Sequence, residues 1–117
     1  MDNDKLYMLW TDISTGIKYK VAELYKENNI YYFKYILEEV KEAMNNGFKL
    51  LIAFPQLNAT YNNPQLFAVF TARVPDKRRP EIQKILETYG MTEYDEFELL
   101  KRTKGKVQTD DYEFVQE

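Results

Sequence analysis

"YKVAELYKENNIYYFKYI", residues Tyr19–Ile36, is the stretch whose reading decides the fold. It is rich in aromatic and β-branched residues, which suit a pleated, half-buried surface. Asn28–Asn29 interrupt it with a turn signal. Two strands follow, the second being "IYYFKYI". Upstream, "KLYMLWTD" (Lys5–Asp12) and "KYKVAELYKEN" (Lys18–Asn28) flank the Gly-containing "ISTG". Tyr7, Leu9, Tyr19, Val21 and Leu24 serve as the apolar strand positions. The first third of the chain therefore reads as an antiparallel meander.

Downstream the period changes. In "LEEVKEAMNNG", Leu37, Val40 and Met44 share a helical face, Glu38 and Glu39 suit the first turn, and Gly47 suits the end. "FKLLIAFP" (Phe48–Pro55) reads as a buried strand and "QLNATYNN" as a polar loop exposing Tyr61. "PQLFAVFTARV" opens with Pro64 and places Leu66, Phe67, Val69 and Phe70 on a wide apolar helical face. In "PEIQKILETYG", Pro80 and Glu81 start a helix striped by Ile82, Ile85, Leu86 and Tyr89, and Gly90 closes it. Leu66, Phe67, Phe70, Ile82, Ile85 and Leu86 are the predicted core of these two helices. "YDEFELLKRTKG" gives another short helix with Phe97 and Leu100 inward, and "YEFV" a last strand rejoining the sheet. The expected class is α+β: residues 1–117 as a single domain, with a curled antiparallel sheet of about five strands and three to four helices packed beside it.

The chain has 117 residues, 44% hydrophobic and 30% charged, which is enough for a modest core without staples. Its ten Tyr and seven Phe favour strands and contact surfaces. A net charge of -3 argues against broad, nonspecific nucleic-acid binding, though not against a local basic patch. Without Cys there is no disulfide framework or thiolate chemistry, and without His the commonest general base and metal ligand are missing. The acidic neighbours Glu38–Glu39, Asp95–Glu96 and Asp110–Asp111 are adjacent in sequence, so they suit solvated faces and helix starts better than paired catalysis. Ser14 has no His partner, and no phosphate-cradling glycine loop exists. The N-terminus lacks a basic and apolar leader pattern, so a soluble cytoplasmic protein is expected. No enzyme activity, cofactor, metal or membrane partner is expected.

The local oddity is "RVPDKRRPEI" (Arg73–Ile82) in an acidic chain. Arg73, Lys77, Arg78 and Arg79 suit phosphate binding, aided by the following helix start, or steering of an acidic partner, or simple solvation of a helix connection. In the preceding loop, Leu57 and Tyr61 are the apolar members. Tyr61 reads either as an interface anchor or as a ring folded back on the sheet. Tyr61, Leu57, Arg73, Lys77, Arg78 and Arg79 form the candidate partner-binding set.

From Tyr19 onward the chain resembles the N-terminal subdomain of HipA-type toxin kinases. That family carries a V-G-E-L strand followed by an F-x-Y strand, here Val21-Ala22-Glu23-Leu24 and Phe33-Lys34-Tyr35. Its S-L-S-L-P strand is similar to Leu51-Ile52-Ala53-Phe54-Pro55, and its helix and loop ending L-L-P-D are similar to Leu66–Asp76. The following helix corresponds to Ile82–Tyr89, and F-D-L-L to Phe97-Glu98-Leu99-Leu100. The match covers nearly the whole chain in order. It departs at Ala22, where the family has Gly, and in "GKVQTDDYEFV", which lacks the family's second Gly.

The resemblance implies the lobe without a kinase core, as in the free-standing HipS proteins that act as antitoxins against HipT kinases. It thus implies a non-enzymatic module docking on a HipA- or HipT-type Ser/Thr kinase toxin. In that frame Pro75 and Asp76 would be structural. The alternatives are a free-standing nucleic-acid-binding module, resting on the basic stretch and Tyr61, and a phage or mobile-element inhibitor of another host enzyme.

Overall fold

A computed structural model describes residues 5–116. It contains β1 (Lys5–Thr11), β2 (Lys18–Glu27), β3 (Ile30–Tyr35), α1 (Leu37–Met44), β4 (Thr60–Asn63), α2 (Ala68–Thr71), α3 (Ile82–Thr88), α4 (Glu96–Thr103) and β5 (Tyr112–Val115). The five strands form one antiparallel sheet in the order β4-β3-β2-β1-β5, with the four helices packed alongside. The sheet is open, and β4 and β5 are its edges. Among the described residues no helix is long and apolar enough to cross a membrane.

The turns behind the meander have local causes. Asn28 and Asn29 both adopt positive φ, 52° and 65°. That pair of left-handed residues makes the two-residue hairpin whose twist matches the flanking strands. In the β1–β2 turn, Asp12 accepts bonds from the Ser14 amide and hydroxyl, at 3.0 and 2.8 Å. The strand register then builds the core. Leu6, Leu24, Phe33 and Tyr61 lie in one row across four strands, and Phe114, Met8, Ala22 and Tyr35 lie in the next. Phe33 stacks on Phe54 at 4.0 Å, and Phe70 of α2 lies 5.6 Å from Phe33 and 5.2 Å from Phe114.

The register reverses the expected assignment in β1: Leu6 and Met8 are buried, whereas Tyr7 and Leu9 point to the other face. A bulge leaves Val21 without a partner on β1, since Met8 pairs with Ala22 and Leu9 with Lys20. β3 pairs with β2 only as far as Ala22, and α1 takes over the vacated edge. The Ile36 amide donates to Val21 O, and Glu39 Oε1 accepts from the Lys20 amide.

Other expectations are corrected. Phe48–Pro55 is no strand. Phe48 and Phe54 are buried at its two ends, while Ile52 between them is 97% exposed. The Tyr35 hydroxyl does the work that a strand partner would do. It donates to Phe54 O at 2.8 Å and accepts from the Leu51 amide at 3.0 Å. α1 buries Val40 and Ala43, with Leu37 and Met44 about two-fifths exposed, because the helix leans on β2 by a narrower stripe than the pattern suggested. α2 is a single turn. Leu66, Phe70 and Leu86 are buried as expected, but Phe67, Ile82 and Ile85 are half-buried and Val69 is exposed. α4 follows the expectation, with Phe97 and Leu100 facing inward; the structure adds a buried Leu99 and an N-cap in which Asp95 accepts from the Glu98 amide.

Candidate interaction surface

The basic stretch does not form one positive patch. Arg73 is a strut. Its Nε donates to Gly105 O at 2.7 Å, and its two terminal nitrogens each reach one Asp110 oxygen at 2.8 Å. Its guanidinium also lies 5.6 Å from the Tyr112 and Phe114 ring centroids. Only 9% of its side chain is exposed, so it is not available to a partner as expected. Burial raises the Asp110 pKa, but bonds from Arg73 and the Tyr112 amide outweigh it and the net shift is downward.

Arg78 and Arg79 are exposed but locally matched. Arg78 donates from its amide and guanidinium to Asp76, which closes the turn after Pro75. The Arg78 bonds lower the Asp76 carboxyl to about 2. Arg79 pairs with Glu81 at 2.6 Å. Glu81 is the N-cap residue of α3, so a carboxylate already occupies the neighbourhood that a phosphate would take. Lys77 lines a cleft with Tyr31, Thr71, Tyr94, Asp95 and Glu96, an environment with more acid than base. Asp76 and Glu81, two residues from their arginines, were the signal in the sequence for this neutralisation.

Tyr61 lies on β4, not in a loop, and its ring faces the core side in register with Phe33. It packs edge-on against Phe54 at 5.0 Å, and its hydroxyl accepts from the Gln56 amide at 2.8 Å. Of the two readings, the structure supports the ring folded back. Tyr61 belongs to one edge strand, whereas Arg73 is bonded to the segment entering the strand at the other edge. The two are therefore not joined in one patch.

The surface that sequence reasoning missed is the outward face of the sheet. Tyr7, Glu23, Lys34 and Thr60 lie in one row across β1 to β4, and Lys5, Tyr25, Tyr32 and Asn62 in the next. None of these eight is buried. Tyr25 and Tyr32 stack at 5.1 Å with 16° between ring planes. The Lys20 ammonium sits 4.4 Å from the Tyr7 ring centroid, and Lys5 lies between Tyr25 and Tyr7 at 5.6 and 5.9 Å while pairing with Glu23 at 3.4 Å. The period-2 alternation in β1 was the available signal. Reading Tyr7 and Leu9 as core positions concealed it.

At one end this face runs into a groove of about 340 Å³. Ile36, Leu37 and Leu57 supply apolar walls, and Glu23, Lys34 and Thr60 the rim toward the tyrosines. Leu57 is thus the one member of the expected binding set that borders this surface. The acidic neighbours in sequence have structural partners instead: Glu39 holds the Lys20 amide, Asp95 caps α4, and Asp110 holds Arg73. Among the described residues, no three metal-ligating side chains converge. The chain matched no protein-family model, no curated protein sequence and no solved structure.

Proposed function

We propose that this chain is a cytoplasmic, non-catalytic protein-binding module of HipS type, which docks on a HipA- or HipT-like Ser/Thr kinase and inhibits it. The observation that carries the binding reading is the uncovered sheet face, with Tyr7, Tyr25 and Tyr32 half-exposed in a ladder of lysines and a glutamate. A broad, flat face rich in Tyr suits a macromolecule, because these rings bury large area at small entropy cost and keep a polar tip. The kinase as partner rests on the sequence resemblance. A single-stranded nucleic acid is the second reading, since tyrosines beside lysines are also its platform. Against it, Tyr25 and Tyr32 turn their ring faces to each other, and Lys20 already covers Tyr7.

Titrating the purified chain against a truncated HipA-like kinase, with kinase activity followed in parallel, tests this. Saturable binding with loss of kinase activity is expected, and the chain alone should show no turnover with ATP and generic phosphoacceptors. Absence of kinase binding together with tight, salt-sensitive binding to oligonucleotides would reverse the ranking.

A further inference from the structure

We infer that the groove at the β3–α1 junction is the anchor point of the docking surface, and that it takes an extended peptide segment with an aliphatic or aromatic residue beside a carboxylate. The inference rests on the protein-binding reading above and deepens it. Three observations converge. Leu37, the first residue of α1, leaves 41% of its surface in solvent at the groove, and half-buried Ile36 and Leu57 extend the same apolar wall. An aliphatic side chain seated there would remove this surface from water. The groove's volume is at the low end for sites that enclose a small molecule, and its open form suits one anchoring side chain of a longer segment.

The second observation is charge. On the outward face Lys5 is matched with Glu23 and Lys18 with Glu113. That leaves Lys34 at the groove rim, and Lys20 beside Tyr7, whose ammonium groups have no carboxylate oxygen within 4 Å among the described residues. A net-negative chain thus presents two unmatched lysines on this one face, and a carboxylate next to the anchor would meet Lys34. The third is continuity: Lys34 and Glu23 share a strand row with Tyr7, so a segment seated in the groove continues onto the tyrosine face.

The test uses fluorescein-labelled Gly/Ser peptides carrying a central Leu flanked by Asp, the same flanked by Lys, and the Asp peptide with Leu replaced by Ser. Anisotropy gives affinity, and amide chemical-shift mapping gives location. The Asp–Leu peptide should bind best, with shifts at Lys34, Leu37, Leu57 and Thr60. Leu37→Asp should weaken it by about tenfold, as loss of an anchoring contact does. Lys34→Glu should reverse the preference toward the Lys-flanked peptide. Both positions are exposed, so both variants should fold, and circular dichroism checks this. Equal affinity for all three peptides, shifts elsewhere, or an unchanged preference in Lys34→Glu overturns the inference. Kinase binding that both variants leave intact overturns the groove and spares the kinase reading. Groove-mapped peptide binding without any kinase affinity supports the groove and removes the kinase.

Discussion

Arg73 and Asp110 face each other as a bidentate pair, with each terminal guanidinium nitrogen 2.8 Å from its own carboxylate oxygen. The pair fastens the end of α2 to the segment that enters β5, an edge strand held to the sheet by β1 alone. Removing one partner leaves the other charge partly desolvated, which costs more than the pair itself contributes. Arg73→Leu should therefore destabilise the fold by about 3 kcal/mol, the low end for a broken buried pair because Asp110 keeps 30% exposure. Asp110 is held below its ordinary value, so its contribution is present above about pH 4 and is lost as pH falls through the depressed pKa. Urea titrations at neutral and acid pH check both statements. An unchanged midpoint in Arg73→Leu would show the pair to be incidental.

Gly105 should tolerate no side chain. It sits at φ +59°, and a Cβ there would lie 2.5 Å from Leu100 Cδ1 and 2.9 Å from Phe114 Cδ1. Both neighbours are fully buried, so neither can move aside cheaply. Overpacking and left-handed strain together predict a loss of about 2–4 kcal/mol for Gly105→Ala. Gly16→Ala is the comparison, since nothing lies within 4 Å of its added Cβ and only backbone strain applies. Equal melting temperatures for the two variants would count against this packing.

Tyr35 gives an alkaline prediction. Burial pushes its hydroxyl up to about 12, with the Leu51 amide acting in the opposite sense. A folded-state pKa above the unfolded one favours the fold fully below pH 10, and that share is lost as pH rises from about 10 through about 12. Tyr35→Phe removes this slope. It also strands the Leu51 amide and the Phe54 carbonyl, at a cost of about 1–3 kcal/mol at neutral pH. Stability curves of both proteins between pH 8 and 11 should therefore converge as pH rises, a range spanning roughly the ordinary Tyr pKa. Parallel curves would place the ionisation elsewhere.

What was legible in the sequence was whatever local pattern alone decides. The Asn28–Asn29 hairpin, α4 with Phe97 and Leu100 inward, and β5 are set by turn chemistry and periodicity within a few residues. Phe48–Pro55 failed because an apolar run looks alike in a strand and in a loop pinned by a distant hydroxyl, here that of Tyr35. The basic stretch failed for a similar reason. Arg73 is bonded to residues 32 and 37 positions away, and no local reading reveals such partners. The outward tyrosine face was present in the alternation of Leu6, Tyr7, Met8 and Leu9. Tyr is ambiguous between core and surface, so the choice of face needed the register.

The aromatic cluster should divide by burial, not by ring count. Phe70 is 1% exposed and lies within 5.2–6.1 Å of Phe33, Phe54, Phe67 and Phe114. Phe70→Ala opens a cavity at the meeting point of α2, β3 and β5, and should cost about 3–5 kcal/mol. Phe67 is half-buried and meets Phe54 and Phe70 edge-on, so Phe67→Ala should cost less than half as much. Tyr61 combines a half-buried ring with a hydroxyl on the Gln56 amide. Tyr61→Phe should lose about 1 kcal/mol, the net worth of one partly exposed hydrogen bond, and Tyr61→Ala clearly more. Partner binding then separates structure from interface. If Tyr61 only holds the β4 edge, Tyr61→Phe leaves affinity for the kinase unchanged while Leu37→Asp reduces it. The reverse order, with Tyr61→Phe weakening binding and Leu37→Asp silent, would move the interface from the outward face to the β4 edge.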